Sequence, residues 1–469
     1  MFSRALRAAG LLLIMAFAIG LHYIGGVAPV AAGFSAKVMC SGVFVSHREP
    51  ESILAEDLAF DHPFRRFLEV RVDYPGRRVT ATFAGLFERR AIYRDGLGCT
   101  LLSKITEQNL LMQAEDFVAS VPDSYPEFVP WPLGDLDVSD GLPRDIDQLR
   151  LALTIEDAFS EPDPARPRRT RAIVVVHDGR VIAERYAPGF DRDMPLTGWS
   201  MTKSILNALT GILVGEGRLV VSDPAPVPEW SGEVDPRHAI TVENLLQMSS
   251  GLRFEEDYET LDADAPVMLF NSFSAGALAA GKRLEAAPGE KWKYSSGTSN
   301  ILSRVIRGRI PGPLPDYWSF PRRALFDRIG MSSAVLEPDS SGVFVASSFS
   351  YATARDWARL GLLYLNDGVW QGERILPAGW VRYSTTPARH AAQGNYGAYI
   401  WLNAGNPPGS ANRRWPELPA DLYYFSGFEG QQVFIIPSKK LVAVRLGCSR
   451  EPTTWDPGAF LRNLLAVIR

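Results

Sequence analysis

Residues 171–189 read RAIVVVHDGRVIAERYAPG. Two runs rich in β-branched residues flank His177-Asp178-Gly179-Arg180. Asp-Gly is a strong signal for a two-residue hairpin turn, where both central residues take positive φ. A second stretch of the same kind lies far downstream: QQVFIIPSKKLVAVRLG (431–447), with Pro437-Ser438-Lys439-Lys440 at its turn. After the first hairpin the chain reads as largely helical to about residue 390, and PGAFLRNLLAVIR closes it as a terminal helix. Two β pairs bracketing a long helical segment predict an α/β fold of the α+β kind. One antiparallel sheet is built from both ends of the chain, helices flank it, and an all-helical lobe is inserted. A cleft between two such lobes is where a small-molecule site belongs.

The chain has 469 residues, 46% of them hydrophobic, which is ample for a large core. A net charge of −4 gives no basic footprint for nucleic acid. No zinc-type Cys/His spacing and no internal repeat are present, so no metal or other cofactor is expected.

The first 33 residues differ from the rest. Arg4 and Arg7 precede the run AAGLLLIMAFAIGLHYIGGVAPVAAG. A positive start before an apolar stretch reads as an export signal or a membrane anchor, and Val30-Ala31-Ala32 offers a small-residue cleavage site. Either way the remainder is expected in the periplasm or held at the membrane. In an oxidising compartment Cys40 and Cys99 form a candidate disulfide, whereas Cys448 reads as a small buried hydrophobe.

Residues 34–143 form a β-rich extension followed by a proline-studded connection. From Phe34 to about Leu102 the pattern is strand-like, with alternation in FLEVRVDYPGRRVTATFAG and a turn at Pro75-Gly76. VPDSYPEFVPWPLGD then reads as irregular. The main domain, 144–469, opens with DIDQLRLALTIEDAFSEP, where Ile146, Leu149 and Leu153 stand at amphipathic-helix spacing.

Chemistry concentrates at Gly198–Leu213, GWSMTKSILNALTGIL. Ser200 lies just before a helix that is apolar on most faces and runs to about Val214. Residues three apart share a helix face, so Lys203 points the same way as Ser200. The helix mouth supplies free N–H groups, and burial disfavours an ammonium. A neutral amine beside a hydroxyl can take its proton and make it a nucleophile. Ordinary N-capping by serine is the competing reading. No G-x-S-x-G elbow is present, and none of the six histidines adjoins Ser200 in sequence.

The stretch resembles the S-x-x-K motif of the serine β-lactamase and penicillin-binding superfamily. It is most similar to the branch holding class C β-lactamases, D-alanyl peptidases, carboxylesterases and 6-aminohexanoate-dimer hydrolases. Further blocks agree in order: ITVENLLQMSSGL (240–252), WKYSSGTSNILSRVI (292–306), TARDWARLGLLYLNDGVWQGERILPAGWV (353–381) and FSGFEGQQVFIIPSKKLVAVRLG (425–447). The resemblance implies Ser200 as nucleophile, Lys203 as its base and Tyr294 as a proton-exchanging phenol. It places Ser296, Phe428 and Gly430 at the substrate, and the backbone N–H groups of Ser200 and Gln431 in an oxyanion hole.

Two departures from the family pattern stand out. The second motif carries Ser296 in place of asparagine, a shorter group without the amide's paired donor and acceptor. The third motif, aligned at Phe428-Glu429-Gly430, has no cation at its first position. The expected function is hydrolysis of a small ester or linear amide through an acyl-enzyme. A β-lactamase or D-alanyl-D-alanine peptidase is the alternative within the fold, and a non-catalytic ligand-binding envelope protein the alternative outside enzymology. Phe270, Phe273 and Trp292 are candidates either for an apolar pocket or for core.

Overall fold

A computed structural model of the chain describes residues 25–59, 63–119, 128–136, 141–232, 234–451 and 453–468. Most of the segment expected as a signal or anchor, residues 1–24, lies outside the described residues. The first described element is the helix α1 (Gly25–Phe44), which is long and apolar enough to cross a membrane yet is mostly buried against the rest of the chain. This corrects the strand-like reading of residues 34–44. The expected boundary at residue 33 falls inside α1, and Val30, Ala31 and Ala32 are buried on it.

The extension continues as a four-stranded antiparallel meander, β1 (Leu68–Asp73), β2 (Arg78–Phe83), β3 (Leu86–Arg94) and β4 (Gly98–Leu101). The turn at Pro75-Gly76 joins β1 to β2 as expected. Helix α1 lies along this sheet and is tied to it by the Cys40–Cys99 disulfide. Cys448 is free and buried, as expected. The extension is joined to the main domain by a buried ion pair between Lys37 and Glu337. Glu337 also accepts from Ser41 Oγ (2.8 Å) and from the backbone N–H of Cys99 (2.7 Å).

The main domain follows the expected plan. After helix α2 (Gln148–Phe159) come β5 (Thr170–His177) and β6 (Arg180–Tyr186). Asp178 and Gly179 connect them with φ of 47° and 78°, the geometry that their dipeptide favours. Helix α3 (Thr202–Gly215) and the lobe helices α4 (Asp264–Asn271), α5 (Ala275–Ala280) and α6 (Ser296–Arg309) follow, then α7 (Ala354–Leu365). The chain returns to the sheet through β7 (Trp401–Leu402), β8 (Tyr423–Gly427), β9 (Gln431–Ile436) and β10 (Leu441–Gly447), and ends in α8 (Pro457–Leu465).

The main sheet has the order β7-β8-β9-β10-β5-β6, antiparallel throughout. Within it the β10–β5 pair joins the two ends of the main domain, with Val444 opposite Val174. Alternate residues feed two cores. Ile173, Val175, Phe434 and Ala443 meet Leu151 and Ile155 of α2 and Leu461 and Leu464 of α8. Val174, Val176, Val433 and Val442 face the other way, toward Trp357 and Leu362 of α7 and the helical lobe. Helix α2 is helical as expected but buries the opposite face. Leu149 and Leu153 are exposed, while Leu151, Ile155 and Ala158 are buried, because those three also stand at helical spacing and face the sheet.

Candidate active site

Ser200 sits in a tight 3-10 turn, Trp199–Met201, that opens into α3. Trp199 has φ 45°, a left-handed conformation costly for a residue with a side chain. Packing holds it there. The Gly198 N–H donates to Ser350 O (2.8 Å), and a Cβ on Gly198 would lie 2.3 Å from the Trp357 ring. Thr202 Oγ1 donates to Trp199 O at 2.6 Å. The nucleophile candidate is thus fixed by its neighbours on both sides.

Lys203 is 1% exposed. Its Nζ lies 3.0 Å from Ser200 Oγ, 3.1 Å from Ser296 Oγ and 2.8 Å from Ser347 O. Asn300 of α6 positions that last carbonyl by bonding Ser347 twice, through its N–H and its Oγ. Desolvation lowers the amine to a pKa of about 8, opposed by the negative charge of Glu256. In the neutral form two N–H bonds suit Ser347 O and Ser296 Oγ, and the lone pair is left for the Ser200 hydroxyl.

The side chain of Tyr294 lies beside Ser200. Desolvation, then the charge of Glu256, push it well above the ordinary tyrosine range, so it stays a neutral phenol. Its ring stacks on Trp401 (5.6 Å) and lies 4.9 Å from Lys203 Nζ. The three expected groups are therefore brought together. Trp292 packs on Tyr396 and Phe270 between Phe34 and Phe349, while Phe273 is partly exposed.

Ser296 is fully buried and accepts from Lys203 while donating to Glu256 Oε1 (2.5 Å). Its N–H donates to Glu256 Oε2 at 2.7 Å. Tyr258 donates its hydroxyl to the same carboxylate at 2.9 Å. Glu256, Tyr258, Asn300 and Ser347 are site residues that the sequence reading missed. Glu256 and Tyr258 arrive on an irregular segment with no periodic signal. The partly exposed Phe428 stacks on Tyr258 (5.8 Å) and meets Trp199 edge-on (6.0 Å), so three aromatic rings frame the mouth.

The third motif needs a correction. The glycine pressed against the nucleophile turn is Gly427, where a Cβ would lie 2.2 Å from Gly198 O. Gly430 faces Arg445 and Trp455 instead. Gln431 pairs with Gly427 across the hairpin, and its side-chain amide is taken up by both backbone groups of Gly447. FSGFEG holds two glycines three residues apart, so Phe425-Ser426-Gly427 is a second candidate for the triplet, the one that lies against Gly198. This triplet also lacks a cation.

An antiparallel sheet, an inserted helical lobe and an S-x-x-K serine at the mouth of α3 make up the fold of β-lactamases and penicillin-binding proteins. The chain belongs to the Beta-lactamase family, whose model matches residues 155–466. It is 27% identical over 303 residues to 6-aminohexanoate-dimer hydrolase of Paenarthrobacter ureafaciens, covering 61% of this chain and 74% of that protein. A putative 6-aminohexanoate-dimer hydrolase from Bacillus anthracis superposes with a TM-score of 0.55 at 20% identity, over 77% of this chain and 94% of that one. A family VIII carboxylesterase superposes with a TM-score of 0.50 at 14% identity, over 71% and 99%. The chain is a hydrolase of the β-lactamase fold.

Proposed function

We propose that this chain hydrolyses small esters or linear amides through an acyl-enzyme on Ser200. The observation that carries this reading is the buried Lys203 amine, 3.0 Å from the Ser200 hydroxyl and 4.9 Å from the Tyr294 ring. Lys203 takes the Ser200 proton as Oγ attacks the carbonyl carbon. Because the phenol is held neutral, Tyr294 passes a proton to the leaving alkoxide or amine and is resupplied by Lys203. The same pair then activates the water that releases the acid. The Ser200 N–H and the N–H of Phe428, next to Gly427, are the candidate oxyanion donors, the latter in place of Gln431.

The substrate class is neutral around the carbonyl. The third-motif triplet has no cation to receive a substrate carboxylate, and Trp199, Tyr258 and Phe428 offer an aromatic rim. Linear amides of the 6-aminohexanoate type fit by kinship with the relative of that name. Export is supported by the basic, apolar N-terminal sequence and by the Cys40–Cys99 disulfide, which an oxidising compartment maintains.

A fluorophosphonate probe tests the assignment. It is expected to label Ser200 in the wild-type protein and not in Ser200→Ala. A folded wild-type protein that takes no label refutes the enzyme reading and favours a ligand-binding shell. Rapid nitrocefin turnover with inert esters and linear amides would instead support a β-lactamase.

A further inference from the structure

The extension carries an exposed apolar cluster that the hydrolytic site does not use. It lies at one end of the β1–β4 sheet. There Phe67 O accepts from the Ala84 N–H (2.7 Å), and the Phe67 ring packs on Phe83 (5.7 Å). Beside it the β2–β3 hairpin presents Leu86 and Phe87. Leu86 is 65% exposed, Phe67 40% and Phe87 38%. Leu54 is also exposed, and its carbonyl accepts from the Arg65 guanidinium (3.3 Å).

The surroundings are basic. Near this end stand Arg65, Arg66, Arg89 and Arg90 against Glu69 and Glu88, whereas Arg77 and Arg78 lie at the far end of the sheet, paired with Asp95 and with Asp73 and Glu107. Glu69 and Glu88 are each paired, with Arg71 and Arg90. Among the described residues Arg65 and Arg66 form no ion pair, and Arg66 lies over the Phe67 ring (4.8 Å). Large apolar side chains beside two arginines outside ion pairs suit the interface of an anionic bilayer.

The course of α1 says what covers this end. Gly33 packs against Leu101, which pairs with Ala91, and Cys40 is bonded to Cys99, which pairs with Tyr93. Helix α1 therefore runs beside β3 in the same direction. Traced back from Gly33 at ~1.5 Å per residue, its Gly25 end lies about 12 Å further, level with about Phe87–Glu88 near the start of β3. The apolar run Leu11–Gly20, preceded by Arg4 and Arg7, thus joins the fold at the end where the cluster is exposed.

We propose that this end of the extension is a membrane-docking face. Leu54, Phe67, Leu86 and Phe87 enter the interface of the anionic bilayer that also holds the N-terminal apolar segment. Arg65 and Arg66 sit at its headgroups. The proposal rests on the anchored reading of that segment and is independent of the Ser200 chemistry.

The full chain, reconstituted into phosphatidylglycerol/phosphatidylcholine vesicles, tests it. Flotation reports the anchor, and a nitroxide on Leu86→Cys reports docking, with Leu149→Cys on exposed α2 as the aqueous control. At position 86 the label is expected to be open to oxygen and shielded from an aqueous nickel chelate; at position 149 the reverse holds. Arg65→Glu with Arg66→Glu is expected to lower the oxygen-to-nickel accessibility ratio at position 86 severalfold, as is a neutral bilayer. A chain that floats while its position-86 label behaves as at 149 overturns docking and leaves the anchor standing. A chain that does not float overturns both. An unchanged ratio in the arginine variant or in neutral vesicles refutes the headgroup role. Dipolar broadening between position-86 labels in detergent assigns the face to a second copy and overturns the membrane.

Discussion

Replacing Glu256 by glutamine keeps the shape of the site and removes one charge. Through the Ser296 oxygen, 2.5 Å from Glu256 Oε1 and 3.1 Å from Lys203 Nζ, the carboxylate stands roughly 5 Å from the amine. At an effective dielectric of about 20–40, that separation gives about 1.5–3 kcal/mol, or roughly one to two pKa units. The charge favours the ammonium, so Glu256 raises the Lys203 pKa against desolvation. Only the neutral amine accepts the Ser200 proton. In the wild-type enzyme kcat/KM is therefore expected to rise with pH through about 8 and then level off. In Glu256→Gln the rising limb is expected to move to lower pH by about one to two units, with the label at Ser200 retained. Stopped-flow acylation with an activated ester across pH 5–10 reads both limbs. A limb that stays in place, or moves to higher pH, refutes the charge coupling and with it Lys203 as the titrating base.

Lys203→Ala is expected to lower kcat by about 10²–10⁴ with little change in KM, measured by steady-state hydrolysis of the same ester. Gly427→Ala sets a methyl against the Gly198 carbonyl, backbone on backbone. We expect a loss of about 1–3 kcal/mol in urea unfolding and a larger relative loss of turnover, because the displaced part is the nucleophile turn. Lys37→Met leaves Glu337 buried without its cation and is expected to cost about 3–5 kcal/mol by denaturant titration, although Lys37 is not part of the catalytic site.

The parts legible in the sequence are those whose determinants are local. Asp178-Gly179 names its own turn, and the alternation on either side names the strands. The three-residue step from Ser200 to Lys203 is fixed by helix geometry alone. Tyr294 came from its flanking block, not from spacing. What stayed hidden is set by tertiary contact. Glu256 and Tyr258 reach Ser296 from an irregular segment, and only the fold says which of many carboxylates turns inward. In FSGFEG the choice between Gly427 and Gly430 depends on where Gly198 lies. Helix α2 offered two apolar stripes, and the sheet chose the one holding Leu151 and Ile155. Residues 34–44 alternate loosely enough to read as a strand, yet their small residues allow α1 to lie close against β4.

The β10–β5 pair has a consequence for how the enzyme comes into being. Its first strand in the chain, Thr170–His177, waits for a partner, Leu441–Gly447, made hundreds of residues later. During synthesis, or threading through a translocation pore, Ser200 and Lys203 emerge long before the platform beneath them exists. A chain halted before the last hairpin therefore carries Ser200 and Lys203 without the strands that complete the sheet beneath them.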